Sequence, residues 1–276
     1  MDNQKTVVSQ HSINRRTNRH SKKITRTKNN GRLNTLLNVR SCFLVFILFI
    51  MPMKAFSQNN ISDFQVTFKL SIKSKTYGNA TLGKFANVFT KTETGYNVKT
   101  VTKTQGIAAI ILGSNEQQTC DFSYDSNNNK ATPTSYSGGT LKKEKYRVNF
   151  DWEKRTLQFE NGESLDMPDG YILDVCSMPF AISLAQGRGL EEQTIYAVDA
   201  KQKRIRGYNV ASSENEIVET PLGEMDTIKV VLQRELRPDR TLTFWLSTKH
   251  QYIPVKVENK RKSRTITMLV SEMSLL

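Results

Sequence analysis

The sequence predicts a mainly β protein: an antiparallel, strongly curved sheet or half-open barrel with one helix packed against it. Three observations lead there. In Phe64–Lys73 the residues Phe64, Val66, Phe68, Leu70 and Ile72 alternate strictly with polar neighbours, the period-two pattern of a strand with one buried face. Similar alternation returns at steps of about ten residues along the chain, the rhythm of a sheet-built domain. One segment, Tyr171–Gln186, breaks it with apolar residues at helical spacing.

In chain order, further strands are expected around Tyr96/Val98/Thr100, Cys120/Phe122/Tyr124, Tyr146/Val148/Phe150/Trp152 and Leu157/Phe159. Beyond the helix they recur at Ile228/Val230/Leu232, Leu242/Phe244/Leu246, Val255/Val257 and Ile266/Met268/Val270. Turn residues punctuate them: Thr92–Gly95, Asp125–Asn129, Ser137–Gly139, Glu160–Gly162 and Pro221–Gly223. Asn161-Gly162 suits a type I′ hairpin, because both residues tolerate positive φ. In the helix, Met178, Ala181, Ile182 and Ala185 form a stripe that Phe180 and Leu184 widen. Asp174 or Ser177 can cap its start, Pro179 fits its first turn, and Gly187 can close it.

The N-terminal part reads differently. Residues 1–57 form a basic arm and a signal peptide: eleven Lys and Arg against one acid, the apolar run Phe43–Ile50, then the small-residue pattern Ala55-Phe56-Ser57. A bilayer-crossing helix needs roughly 20 apolar residues, so no stable span is expected in the mature chain. Cleavage before Gln58 is the expectation, with a retained signal anchor as the alternative. Either way residues 58–276, a single β-rich domain, lie across the membrane, in the periplasm. Of the formal net charge of +14, the leader holds +10 and the mature chain only +4. That weak charge gives no counterion-release argument for nucleic acid, which is excluded as a partner.

Catalytic chemistry finds little support. Beyond the leader there is one histidine, His250, read as an exposed turn residue, and two cysteines, Cys120 and Cys176. No metal or cofactor site is expected from so sparse a donor set. Asp125–Asn129 begins like a calcium loop, but Lys130 replaces the turn glycine and Tyr136 stands where the bidentate acid belongs. No Gly-x-Ser-x-Gly, phosphate loop or dinucleotide fingerprint occurs. Paired carboxylates stay open, since they meet only in the fold; Asp166, Asp169 and Asp174 near the helix are read as caps. Cys120 and Cys176 are either a disulfide, favoured by an oxidising compartment, or two separate buried thiols.

In its second half the chain carries Glu219-Thr-Pro-Leu-Gly-Glu-Met-Asp-Thr-Ile-Lys-Val230, Arg240–Leu246 and Tyr252–Val257. Upstream stand Thr102–Gly106, Tyr146–Trp152 and Met167–Asp174. Together, over about 65–270, these resemble the domain of unknown function (DUF) 3108 family of exported bacterial proteins. The resemblance implies a periplasmic location and mostly antiparallel β structure, and brings no activity. Its signature positions here, Pro221, Gly223, Trp245, Tyr252 and Pro254, are read as turn and packing residues. A sheet curved around a helix would form an apolar groove. The expectation is therefore a noncatalytic protein binding a lipid or other apolar cell-envelope component. An envelope scaffolding or interaction protein, and a carboxylate-dependent hydrolase, are the alternatives.

Overall fold

A computed structural model of the protein describes residues 61–76, 78–104, 115–190 and 194–276. The leader, the cleavage position before Gln58 and the apolar residues after Gly106 lie outside these residues.

Fifteen strands form one sheet. Its first arm runs β1 (Phe64–Ser74), β2 (Gly78–Lys91), β3 (Tyr96–Thr104), β4 (Glu116–Asp125), β5 (Lys130–Thr140), β6 (Lys143–Asp151), β7 (Thr156–Phe159) and β8 (Ser164–Asp166). Each strand pairs antiparallel with the one before it. The second arm is β9 (Tyr171–Asp174), helix α1 (Met178–Leu184), β10 (Ile195–Asp199), β11 (Arg204–Thr220), β12 (Gly223–Arg234), β13 (Arg237–Ser247), β14 (Pro254–Arg261) and β15 (Arg264–Leu275). β15 pairs with β1 and joins the two arms, giving the order 8-7-6-5-4-3-2-1-15-14-13-12-11-10-9. The fold is thus mainly β, a large curved, non-closed sheet with one α-helix among the described residues.

Two short edge strands, β8 and β9, end the sheet, and side chains link the second arm to the first where no ladder does. The Tyr171 hydroxyl on β9 accepts the Ala131 N–H of β5 at 2.8 Å. Lys201 in the 3-10 turn after β10 pairs with Glu116 on β4, and Lys203 with Glu163 at 2.8 Å. β9 and β10 are the parallel pair, because the chain between them crosses over through α1.

Three expectations need correction. Tyr171–Asp174 is a buried strand and the helix is shorter, since these residues pair with Ile195–Val198 and cannot also be helical. The helix closes in a Schellman motif in which Gln186, at φ 54°, is left-handed as well as the expected Gly187, at φ 67°. The Gly187 N–H reaches the Ile182 carbonyl and the Gln186 N–H that of Ser183. Asn161-Gly162 is no type I′ turn: Gly162 alone has positive φ, and the Gly162 N–H to Phe159 O and Phe159 N–H to Glu163 O bonds define a three-residue loop. Ser137–Gly139 is not a turn but part of β5. Gly138 lies opposite Tyr146, and a Cβ there would run into the Tyr146 ring.

Candidate functional site

The inner faces of the strands line a cavity of about 230 Å³. Phe68 of β1, Phe85 of β2, Leu242 and Phe244 of β13, Val257 of β14 and Met268 of β15 form its apolar walls. Val175–Cys176 and Met178–Phe180, leading into and opening α1, cover it. The sequence folds this way locally because Pro179 lies in the first helical turn, where its missing N–H has no intrahelical partner to lose. Polar wall residues partly satisfy one another, as in the Thr100 hydroxyl donating to Asn87 Oδ1 at 2.7 Å.

Beneath this cover the chain is pinned by a turn and a sulfur pair. Asp174 is fully buried; its Oδ1 accepts the N–H groups of Cys176 and Ser177, both at 2.8 Å, and its Oδ2 accepts the Ser177 hydroxyl at 2.6 Å. Burial pushes the Asp174 carboxyl up to about 6, against the pull of those hydrogen bonds. Ser177 is the N-cap, yet its hydroxyl serves Asp174 and caps no helical N–H. Cys176 sits beside Cys120 of β4 with Cα atoms 6.1 Å apart, and the structure joins their sulfurs. The donor atoms of Cys120, Asp174 and Cys176 lie within 4.8 Å of one another, a grouping invisible in the sequence. A disulfide offers no thiolate, so in this state the trio is not a metal-binding set.

Next to the cavity, and sharing Arg206, Tyr208, Leu242, Asn259 and Arg261 with it, is a cleft of about 20 Å³ that Arg204, Arg234 and Arg240 also line. Arg206 is buried and paired with Asp199 at 2.6 Å. Burial and the neighbouring guanidinium groups both push Arg234 and Arg261 below the usual arginine value, with Tyr208 opposing.

The signature residues scatter. Pro254 lines the cavity. Pro221 and Gly223 lie in the β11–β12 turn, where Gly223 takes φ 103° and the Thr220 hydroxyl donates to its carbonyl at 2.8 Å. Tyr252 stands in the β13–β14 turn at φ 57°, its carbonyl accepting the Ser183 hydroxyl of α1. Trp245 faces outward but is only 3% exposed. The Lys256 ammonium lies 4.1 Å from the centre of its ring, and its indole N–H donates to Glu216 at 3.1 Å. His250 is exposed, with Nδ1 2.8 Å from the hydroxyl of Ser247, which is itself wholly buried.

Sequence reading missed the arginine cleft because its residues stand far apart in the chain and look like ordinary strand ends. The available signal was the pair of basic hairpin tips, Arg234–Arg240 and Lys260–Arg264.

Comparison with curated proteins finds no match. Among solved structures, a β-barrel-like protein of domain of unknown function DUF1849 from Brucella abortus is similar at TM-score 0.49 and 11% identity, over 79% of this chain and 99% of that one. A putative outer membrane lipoprotein-sorting protein domain from Vibrio parahaemolyticus gives 0.29 and 10%, over 78% and 86%. A LolA superfamily protein from Nitrosomonas europaea gives 0.28 and 9%, over 79% and 90%. At these scores none carries a role to this chain. The family model described as Protein of unknown function (DUF3108) matches residues 63–270, and the chain belongs to that family.

Proposed function

We propose that this protein is a noncatalytic binding protein of the cell envelope that shelters the apolar part of a lipid-like ligand in the cavity under α1. The observation that carries the reading is the space itself. Alternating strands can fill their interior with side chains, yet here about 230 Å³ is left, walled mostly by phenylalanine, leucine, valine and methionine with polar residues such as Asn87, Gln118 and Arg206 among them. The leader-like residues 1–57 support export. No described helix is long and apolar enough to cross a membrane. Asp174, the buried carboxylate a hydrolase would recruit, is engaged by three hydrogen bonds that build the turn before α1.

Mass spectrometry of molecules extracted from the protein, purified out of its native envelope, tests the reading. An amphiphilic lipid near one per chain is expected, absent when Val257→Phe fills the cavity of a still-folded protein. Co-purification of a protein partner with no lipid would replace this reading with the scaffolding one.

A further inference from the structure

The cleft beside the cavity concentrates positive charge that the fold neutralises only in part. Arg204, Arg206, Arg234, Arg240 and Arg261 line it together. Asp199 is their carboxylate partner among the described residues, 2.6 Å from Arg206 and 4.0 Å from Arg204. Arg234, Arg240 and Arg261 have no ion-pair partner there, and the Arg240 Nε is buried without a hydrogen bond. The ladders sharpen the conflict: Arg240 faces Arg261 across β13–β14, and Arg261 faces Arg264 across β14–β15. Like charges directly opposite destabilise a sheet, so this arrangement works against folding unless something else answers it.

An anion would. Guanidinium groups match carboxylate and phosphate oxygens in pairs of charge-assisted hydrogen bonds. The space of about 20 Å³ holds about one oxygen-sized atom. Because Arg206, Tyr208, Leu242, Asn259 and Arg261 line both the cleft and the cavity, a chain lying in the cavity can present its polar end to the cleft. Resting on the proposed apolar binding, we infer that the ligand is an anionic amphiphile: its hydrocarbon chain occupies the cavity and its phosphate or carboxylate head meets the arginine cleft.

Calorimetric titration of the whole protein with dodecyl phosphate, uncharged dodecanoyl glycerol and inorganic phosphate, each below any micelle concentration, tests this. Dodecyl phosphate is expected to bind at least about tenfold more tightly than dodecanoyl glycerol, with added salt eroding that advantage alone. The double variant Arg234→Gln/Arg240→Gln, which alters residues of the cleft that do not line the cavity, should shrink the advantage to about twofold and leave dodecanoyl glycerol affinity unchanged. Retained dodecanoyl glycerol binding shows that the variant is folded; if it is lost, the comparison of probes on the unaltered protein decides. Equal affinity for the two amphiphiles would overturn the anionic head and leave the cavity reading standing, whereas binding of neither would overturn both. Inorganic phosphate binding as tightly as dodecyl phosphate would make the cleft a free-anion site and also refute the inference.

Discussion

β1 and β2 build two interiors of opposite character. Toward one end, Phe64 and Phe89 stack with ring centres 5.0 Å apart. Tyr96 packs 5.0 Å and Phe180 5.6 Å from Phe89, and Phe122 lies 5.6 Å from Tyr96, closing a solid aromatic block. Four residues along each strand, Phe68 and Phe85 stand 6.1 Å apart, but there they border the cavity. Residue type and facing are the same in both places. What differs is the reach of the helix. Seven residues span about 10 Å, while the eleven of β1 extend over about 35 Å, so α1 can plug only part of the interior. Phe180 marks the boundary, touching the block and lining the hollow. A solid core and a binding space can therefore be cut from one alternating pattern, depending on what lies opposite.

The largest effects should separate the two interiors directly. Phe89→Ala opens a hole in packed surroundings and is expected to cost about 3 to 5 kcal/mol, whereas Phe85→Ala, already beside empty space, should cost only about 1 to 2. Urea denaturation of both variants checks this; equal losses would mean that the hollow is as tightly packed as the block.

The Cys120–Cys176 link should matter nearly as much, because it fastens the cover of the cavity to β4. Closing its loop of 56 residues contributes up to about 4 kcal/mol on the chain-entropy account. An intact-mass difference of two hydrogens on reduction would establish the bond, and a Cys120→Ser/Cys176→Ser variant should unfold at correspondingly lower urea. An unchanged mass would show free thiols.

A smaller effect comes from Asp174, next to that link. Burial holds its carboxyl at about 6 when folded, against an ordinary 3.8. The folded protein then keeps this proton more readily than the unfolded chain. The group's contribution is thus fully present below about pH 3.8 and is lost as pH rises through about 6. Relative to Asp174→Asn, which keeps the acceptor for the Cys176 and Ser177 N–H groups, the unaltered protein should lose about 2 kcal/mol between pH 4 and pH 7. Parallel stability curves for the two proteins would contradict the raised value.

Smallest of all is a control on the outer face, away from both interiors. Lys256→Met retains the stem over Trp245 and removes the cation 4.1 Å from its ring together with its ion pair to Glu258, at an expected cost of about 0.5 to 1 kcal/mol and no change in ligand retention.

Much of this was legible from residues alone, and the gaps have physical causes. β1, β12, β13 and β15 announce themselves because apolar and polar residues alternate with the pleat. β2, β5 and β11 do not: Gly78–Lys91 mixes small and polar residues, Lys130–Thr140 holds Pro133 and two glycines, and Arg204–Thr220 is largely polar. Pairing with neighbours on both sides holds them as strands whatever their own preference. Tyr171–Asp174 was drawn into the helix because a short apolar run fits either period, and pairing with β10 decided it. The basic tips went unread behind a mature-chain charge of only +4, and a sum over a chain conceals how its charges are distributed in space.

The sequence by itself determined which residues face inward in the alternating strands, where most hairpins turn, that a helix interrupts the strands, and the family to which the chain belongs. These are local properties, written in side-chain period and turn chemistry. Only the tertiary structure decided that the helix leaves part of the interior open, that Asp174 lies against a cysteine pair, and that arginines from β11, β12, β13 and β14 converge beside the opening. Such features depend on the curvature of a whole sheet and the length of what packs against it, quantities that no stretch of neighbouring residues specifies.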